Sequence, residues 1–295
     1  MRFFYFRSVR IDEILLFPIR SYRRDSLISD PFVSMRFSYI RSVRIDEILL
    51  FPIRSYRRDS LISDPFVSMR FSYIRSVRID EILLFPIRSY RRDSLISDPF
   101  VSMRFSYIRS VRIDEILLFP IRSYRRDSLI SDPFVSMRFS YIRSVRIDEI
   151  LLFPIRSYRR DSLISDPFVS MRFSYIRSVR IDEILLFPIR SYRRDSLISD
   201  PFVSMRFSYI RSVRIDEILL FPIRSYRRDS LISDPFVSMR FSYIRSVRID
   251  EILLFPIRSY RRDSLISDPF VSMRFSYFRS VRIDEILLFP IRSYR

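Results

Sequence analysis

The residues of this chain best suited to a chemical task are its arginines, and the densest group of them is Tyr56, Arg57 and Arg58. A guanidinium stays ionised, stacks on aromatic faces and grips a phosphate through two parallel hydrogen bonds. The triplet recurs as Tyr90, Arg91 and Arg92, and its arginines again as Arg125 and Arg126 and as Arg159 and Arg160. Clusters at even spacing would track a phosphate backbone, with tyrosine available to stack on bases. Without a ligand, the same cluster reads as a polar corner.

The carboxylates offer less. Asp46 and Glu47 have the residue types of an acid/base pair, but neighbours in a strand point to opposite faces. The better reading makes them solvated partners for Arg44 and Arg54. Stacked copies of Asp64 are too few in oxygen ligands, and too outnumbered by arginine, to hold a hard cation. Arg57, Arg58, Asp59 and Ser60 match the substrate pattern of basophilic protein kinases, where a phosphate would add about −1.5 to −2 charges. His, Cys and Lys are absent from all 295 residues. That removes the common general bases, the soft metal ligands and the amine nucleophiles. With no glycine either, no phosphate-cradling loop can be built. The sequence therefore predicts no enzyme, no cofactor and no metal.

These residues sit in a 34-residue unit written over and over. From Met35 it reads MRFSYIRSVRIDEILLFPIRSYRRDSLISDPFVS, and it restarts at Met69, Met103, Met137, Met171, Met205, Met239 and Met273. The array divides into units 1–34, 35–68, 69–102, 103–136, 137–170, 171–204, 205–238 and 239–272, with a partial unit 273–295. Only Phe4, Phe6 and Phe278 depart from the pattern. A fixed period of this length points to a solenoid or an array. Identical neighbours have the same local minimum, so geometry should repeat with the sequence. No stretch reads as a cap with a polar outer face, which solenoid ends ordinarily carry.

Charge accumulates with copy number. The chain holds 53 arginines against 34 acids for a net charge of +19, or +2 per complete unit from six arginines and four acids. The longest uncharged run, ILLFPI, falls far short of the ~20 residues needed to cross a bilayer. The opening MRFFYFRSVR has too short an apolar stretch for a secretory signal core. Without cysteine, disulfides are excluded.

The hydrophobic pattern supports a β-solenoid of about three short strands per coil. Over residues 67–79, Val67, Met69, Phe71, Tyr73, Val77 and Ile79 share one parity, and Arg70, Ser72, Arg78 and Asp80 the other. Period two in β-branched and aromatic residues marks a half-buried strand. Arg75 falls on the apolar parity, so a corner is expected near Arg75 and Ser76. Residues 48–53, interrupted by Pro52, and the pair Leu61 and Ile62 supply two further pieces. Nine coils at the ~4.8 Å strand spacing give a rod about 40 Å long.

Two alternatives compete, an α-solenoid of helix pairs and a chain with no stable fold. Asp64 and Pro65 form a good N-cap and first turn, opening a helix over 65–85 with a shorter one over 88–96. A helix pair in 34 residues matches a tetratricopeptide unit in length alone, since the Trp, Gly and Ala positions of that pattern are missing. Propensity is unfavourable, with alanine absent and β-branched and aromatic residues abundant. Electrostatics favours helices, because like charges ~5 Å apart in stacked coils repel by roughly 1 kcal/mol per neighbour in water. Acidic ladders beside the arginine ladders would offset this.

The functional expectation is the translation product of a tandemly amplified segment with no assignable activity. Thirty-four codons make a 102-nucleotide unit, a multiple of three, so amplification keeps the frame open whatever the product does. The alternatives are an arginine-rich module binding nucleic acid or other polyanions without sequence preference, and a self-assembling structural protein built on in-register stacking.

Overall fold

A computed structural model describes residues 1–16, 30–50, 64–84, 98–118, 132–152, 166–186, 200–220, 234–254 and 268–288, together with the backbone of short strands in between. Among the described residues every regular element is a strand, and all strand pairing is parallel. The fold is a β-solenoid. Wherever described residues pair, the partner is the equivalent residue one unit along, as in Val67↔Val101, Met69↔Met103 and Phe71↔Phe105.

Three sheets run along the solenoid. The first is built on long strands such as Phe66–Leu84 and Phe100–Leu118, nine rungs deep. Its first two rungs are each split in two, as Arg2–Phe4 with Ser8–Leu16 and Phe32–Ser38 with Ser42–Leu50. The second sheet stacks nine very short strands such as Ile53–Arg54, and the third eight three-residue strands such as Ser60–Ile62. Three strand segments per coil were expected, but the division differs. Ile82 and Leu84, equivalents of Ile48 and Leu50, continue the long strand instead of opening a second one.

The core is a set of eight apolar rows on the inward side of the long sheet. In one interior rung these are Val67, Met69, Phe71, Ile74, Val77, Ile79, Ile82 and Leu84, all buried. Full burial of such side chains contributes roughly 1.5–3 kcal/mol each. In-register stacking sets each core residue on its own copy. The rings of Phe71 and Phe105 lie 4.9 Å apart and 2° from parallel.

Simple alternation fails at two places in each long strand. At the first, Tyr73 lies outside and Ile74 takes the core position. Tyr73 has φ 56°, and the equivalent tyrosine of every unit is also left-handed. Pairing skips Tyr107 and Arg109 on either side of Ile108, as a bend requires. This corrects the sequence reading, which put Tyr73 on the apolar parity and the corner two residues later. The left-handed residue turns the chain early and leaves Tyr73 half-exposed. At the second break, Ile79 and Ile82 are buried with Asp80 and Glu81 between them, and pairing skips Asp114. Asp46 and Glu47 therefore both stay off the core, between buried Ile45 and Ile48. The expected opposition of their side chains is lost because the strand bends there.

Asp64 and Pro65 cap no helix. The Asp64 carboxylate accepts the backbone N–H of Asp98 at 3.1 Å, and the Pro65 carbonyl accepts that of Phe100 at 2.9 Å. Groups suited to a helix N-terminus are instead used to join successive rungs.

Candidate functional site

The outward side of the long sheet carries the described chemistry, arranged in rows along the solenoid. Inward parity is taken by the core, so Arg70, Tyr73, Arg75 and Arg78 all face out and are exposed. One row is a zipper of alternating charge. Arg78 and Asp80 share a face two residues apart, and the Arg78 Nε donates to Asp80 Oδ1 at 2.6 Å. The same guanidinium reaches forward to Asp114 Oδ2 of the next rung at 3.3 Å, while Asp80 also receives Arg44 from the rung before at 3.3 Å. Hydrogen bonds from Arg44 hold the Asp46 carboxyl below its ordinary range, and contact with Asp80 raises the Arg78 guanidinium further above its own. This is the partnership expected for Asp46 with Arg44. Arg54 has its side chain outside the described residues.

Beside the zipper runs a row of like charge. Glu81 pairs in register with Glu115 and Glu47. Partial burial pushes its carboxyl up, and the two neighbouring glutamates push the same way. At the strand entrance, interior carboxyls equivalent in position to Asp64 are also raised, at Asp98, Asp132, Asp166 and Asp200. Burial is the main cause at Asp98, Asp132 and Asp166, partly offset by the amide that each carboxylate accepts.

Across the first bend, Arg70 and Arg75 flank Tyr73. The tyrosines form a continuous stack, with rings 5.0 Å apart and 1° from parallel between Tyr73 and Tyr107. Tyr73 is 51% exposed. Since each ring covers the faces of its neighbours, the stack presents ring edges and hydroxyls outward. Every ion pair among the described residues belongs to the Arg78 row, so Arg70 and Arg75 have no described carboxylate in ion-pair reach. A described rung segment such as 64–84 holds three arginines and three acids, so its positive face arises by separation. Asp64 lies six residues before Arg70 and Asp80 five after Arg75. At ~3.3 Å per residue those separations reach roughly 16–20 Å, beyond the Debye length of ~8 Å at physiological salt.

The candidates read from sequence, Tyr56, Arg57, Arg58, Tyr90, Arg91, Arg92, Arg125, Arg126, Arg159 and Arg160, all lie outside the described residues. So do Asp59 and most of the kinase-like pattern. Sequence alone does not reveal the Arg70, Tyr73 and Arg75 rows, because their arginines are not adjacent and simple alternation places Tyr73 inward. The available signal was Arg75 itself, an arginine on the apolar parity marking a bend that would turn its neighbour outward.

Among the described residues no group of three or more His, Cys, Asp or Glu could hold a metal ion, and no helix is long and apolar enough to cross a membrane. No family model, no curated protein and no solved structure matches the chain.

Proposed function

We propose that this chain is the translation product of a tandemly amplified 102-nucleotide segment and has no selected biochemical activity. One observation carries the reading: identity between copies is as complete on the outside of the solenoid as in its core. Exposed Arg70, Tyr73 and Arg75 recur without change in every interior copy, as do buried Val67, Met69 and Phe71. Packing constrains the buried rows, but surface substitutions usually change stability by less than ~0.5 kcal/mol. Selection on the fold would therefore let outer positions drift, and selection on a binding face would differentiate copies. Recent copying leaves both kinds of position alike. Sequencing the coding DNA tests this directly. Copies identical at synonymous positions are expected, and many synonymous differences beneath an unchanged protein sequence would overturn it.

A second reading, a repeat module that binds polyanions, is favoured by the Arg70 and Arg75 rows, which have no ion-pair partner among the described residues. It does not require selection, because an array of charge binds whatever its origin.

A further inference from the structure

We propose that the outward face formed by the Arg70 and Arg75 rows, with the tyrosine stack between them, is a binding track for single-stranded nucleic acid. It would be held through its phosphates and run parallel to the solenoid axis. The inference deepens the polyanion reading and is independent of how the array arose.

Three observations support it. Two exposed arginine rows lie on either side of one tyrosine row, and their carboxylates lie further along the strand on either side. The rows repeat at the ring spacing of 4.9–5.0 Å with neighbouring rings 1–2° from parallel, so like charges stack with like from rung to rung with little turn. A chain of phosphates laid between them meets a guanidinium from each side at every rung, in the fork geometry that suits arginine. A flexible single strand can follow such a row, whereas the phosphates of a duplex wind around their axis and meet it only periodically. The tyrosine faces are already covered by one another, so bases have no platform to stack on. Recognition is then by phosphate alone, without base preference.

The test uses the full chain and a labelled oligothymidylate long enough to run along the rod, with affinity read by fluorescence anisotropy across a salt series. One phosphate neutralised at each of nine rungs gives a slope of log K against log salt of about −6, at about 0.7 per phosphate for single strands. An oligoadenylate should behave alike. Two variants then remove charge in different rows. One carries Arg75→Gln and the same change at Arg41, Arg109, Arg143, Arg177, Arg211 and Arg245. The other removes as many charges through Arg92→Gln and the same change at Arg58, Arg126, Arg160, Arg194, Arg228 and Arg262.

The first should weaken binding by about tenfold or more and flatten the slope, and the second should change it much less. Equal losses would mean that total charge carries the binding, and would overturn the proposal. Equal affinity for a duplex of the same length, or preference for anionic lipid vesicles, would overturn the choice of partner. Should the first variant lose its β circular dichroism, phenylglyoxal protection on the unaltered chain decides. Bound oligonucleotide should shield the Arg70 and Arg75 peptides, whose signals pool across identical copies, and shielding of Arg91 and Arg92 alone would refute the track. Codon-level identity of the gene has no bearing on any of these outcomes, so the two readings fail separately.

Discussion

Asp80 is gripped by two guanidinia at once, Arg78 of its own rung at 2.6 Å and Arg44 of the preceding rung at 3.3 Å. From Arg10 to Arg248 each arginine of the row bridges two aspartates in turn, so the zipper links rungs as well as decorating them. It lies beside a glutamate row that makes no ion pair among the described residues, and the two respond to acid in opposite directions.

That opposition sets the pH dependence. The Glu81 and Asp98 carboxyls are raised by burial and by neighbouring carboxylates, so the folded state holds their protons more tightly than the unfolded chain. Their stabilising contribution is fully present below the unfolded values of 4.5 and 3.8 and is lost as pH rises through the raised folded ones. Asp46 is lowered, so its contribution is present above 3.8 and is lost as pH falls through its folded value. The thermal midpoint should rise as pH falls from neutrality towards 4.5 and drop again once the pH is well below 3.8. A midpoint that falls steadily from neutrality would contradict the glutamate and aspartate rows.

The inward phenylalanines give a position-dependent result. Phe139→Ala, in a fully buried interior rung, should destabilise by about 3–5 kcal/mol, because it leaves a cavity. The same change at Phe275, only partly buried at the last rung, should cost clearly less. Urea unfolding of both variants, followed by circular dichroism, checks the difference, and equal costs would count against the described core.

Tyr141 tests the bend. Its φ is 57°, a region that costs most L-residues roughly 1–2 kcal/mol and β-branched ones more. Tyr141→Gly relieves that cost while losing two stacking neighbours, and Tyr141→Val loses the stacking and keeps the strain. The valine variant should therefore be the less stable by at least ~1 kcal/mol, although glycine removes more apolar surface. The reverse order in a denaturant titration would place the bend elsewhere.

Association should increase with salt. Ile48 and Leu50 are hidden in the interior, but their equivalents Ile286 and Leu288 are 39% and 43% exposed on a strand edge that can pair with another chain. Net positive charge opposes that encounter, and added salt screens it. Overexpressed protein should be largely insoluble, and refolded material should aggregate faster as salt rises. Light scattering that shows a stable monodisperse monomer at ~150 mM salt would refute this.

The repeat makes the solenoid legible in the sequence alone, because a unit copied in order can stack on itself and bury one continuous core. Alternation over 67–79 likewise identified Val67, Met69, Phe71, Val77 and Ile79 as inward. It failed at Tyr73 and Ile74, since counting parity assumes a flat strand and tyrosine gives no hint of a left-handed residue where Gly or Asn would have. The electrostatic objection to stacked coils also weakened for a local reason. Arg78 and Asp80 share a parity, so each guanidinium finds carboxylates both within and across rungs. The exposed arginine rows depended on the bend, and so became visible only with it.

The in-register pairing of the described strands, each residue with its own copy one unit away wherever it pairs, gives this fold a translational degeneracy. Val101 sits between Val67 and Val135, and any other copy would fit that place equally well. Removing a whole unit should give the same rod one step shorter, with no new interface to create. During folding, however, the chain has no means of telling the next copy from the one after it. A unit left looped out while its neighbours close over the gap satisfies the same side-chain contacts and loses mainly its own rung. The sequence thus specifies the shape of a step very tightly and the number of steps hardly at all.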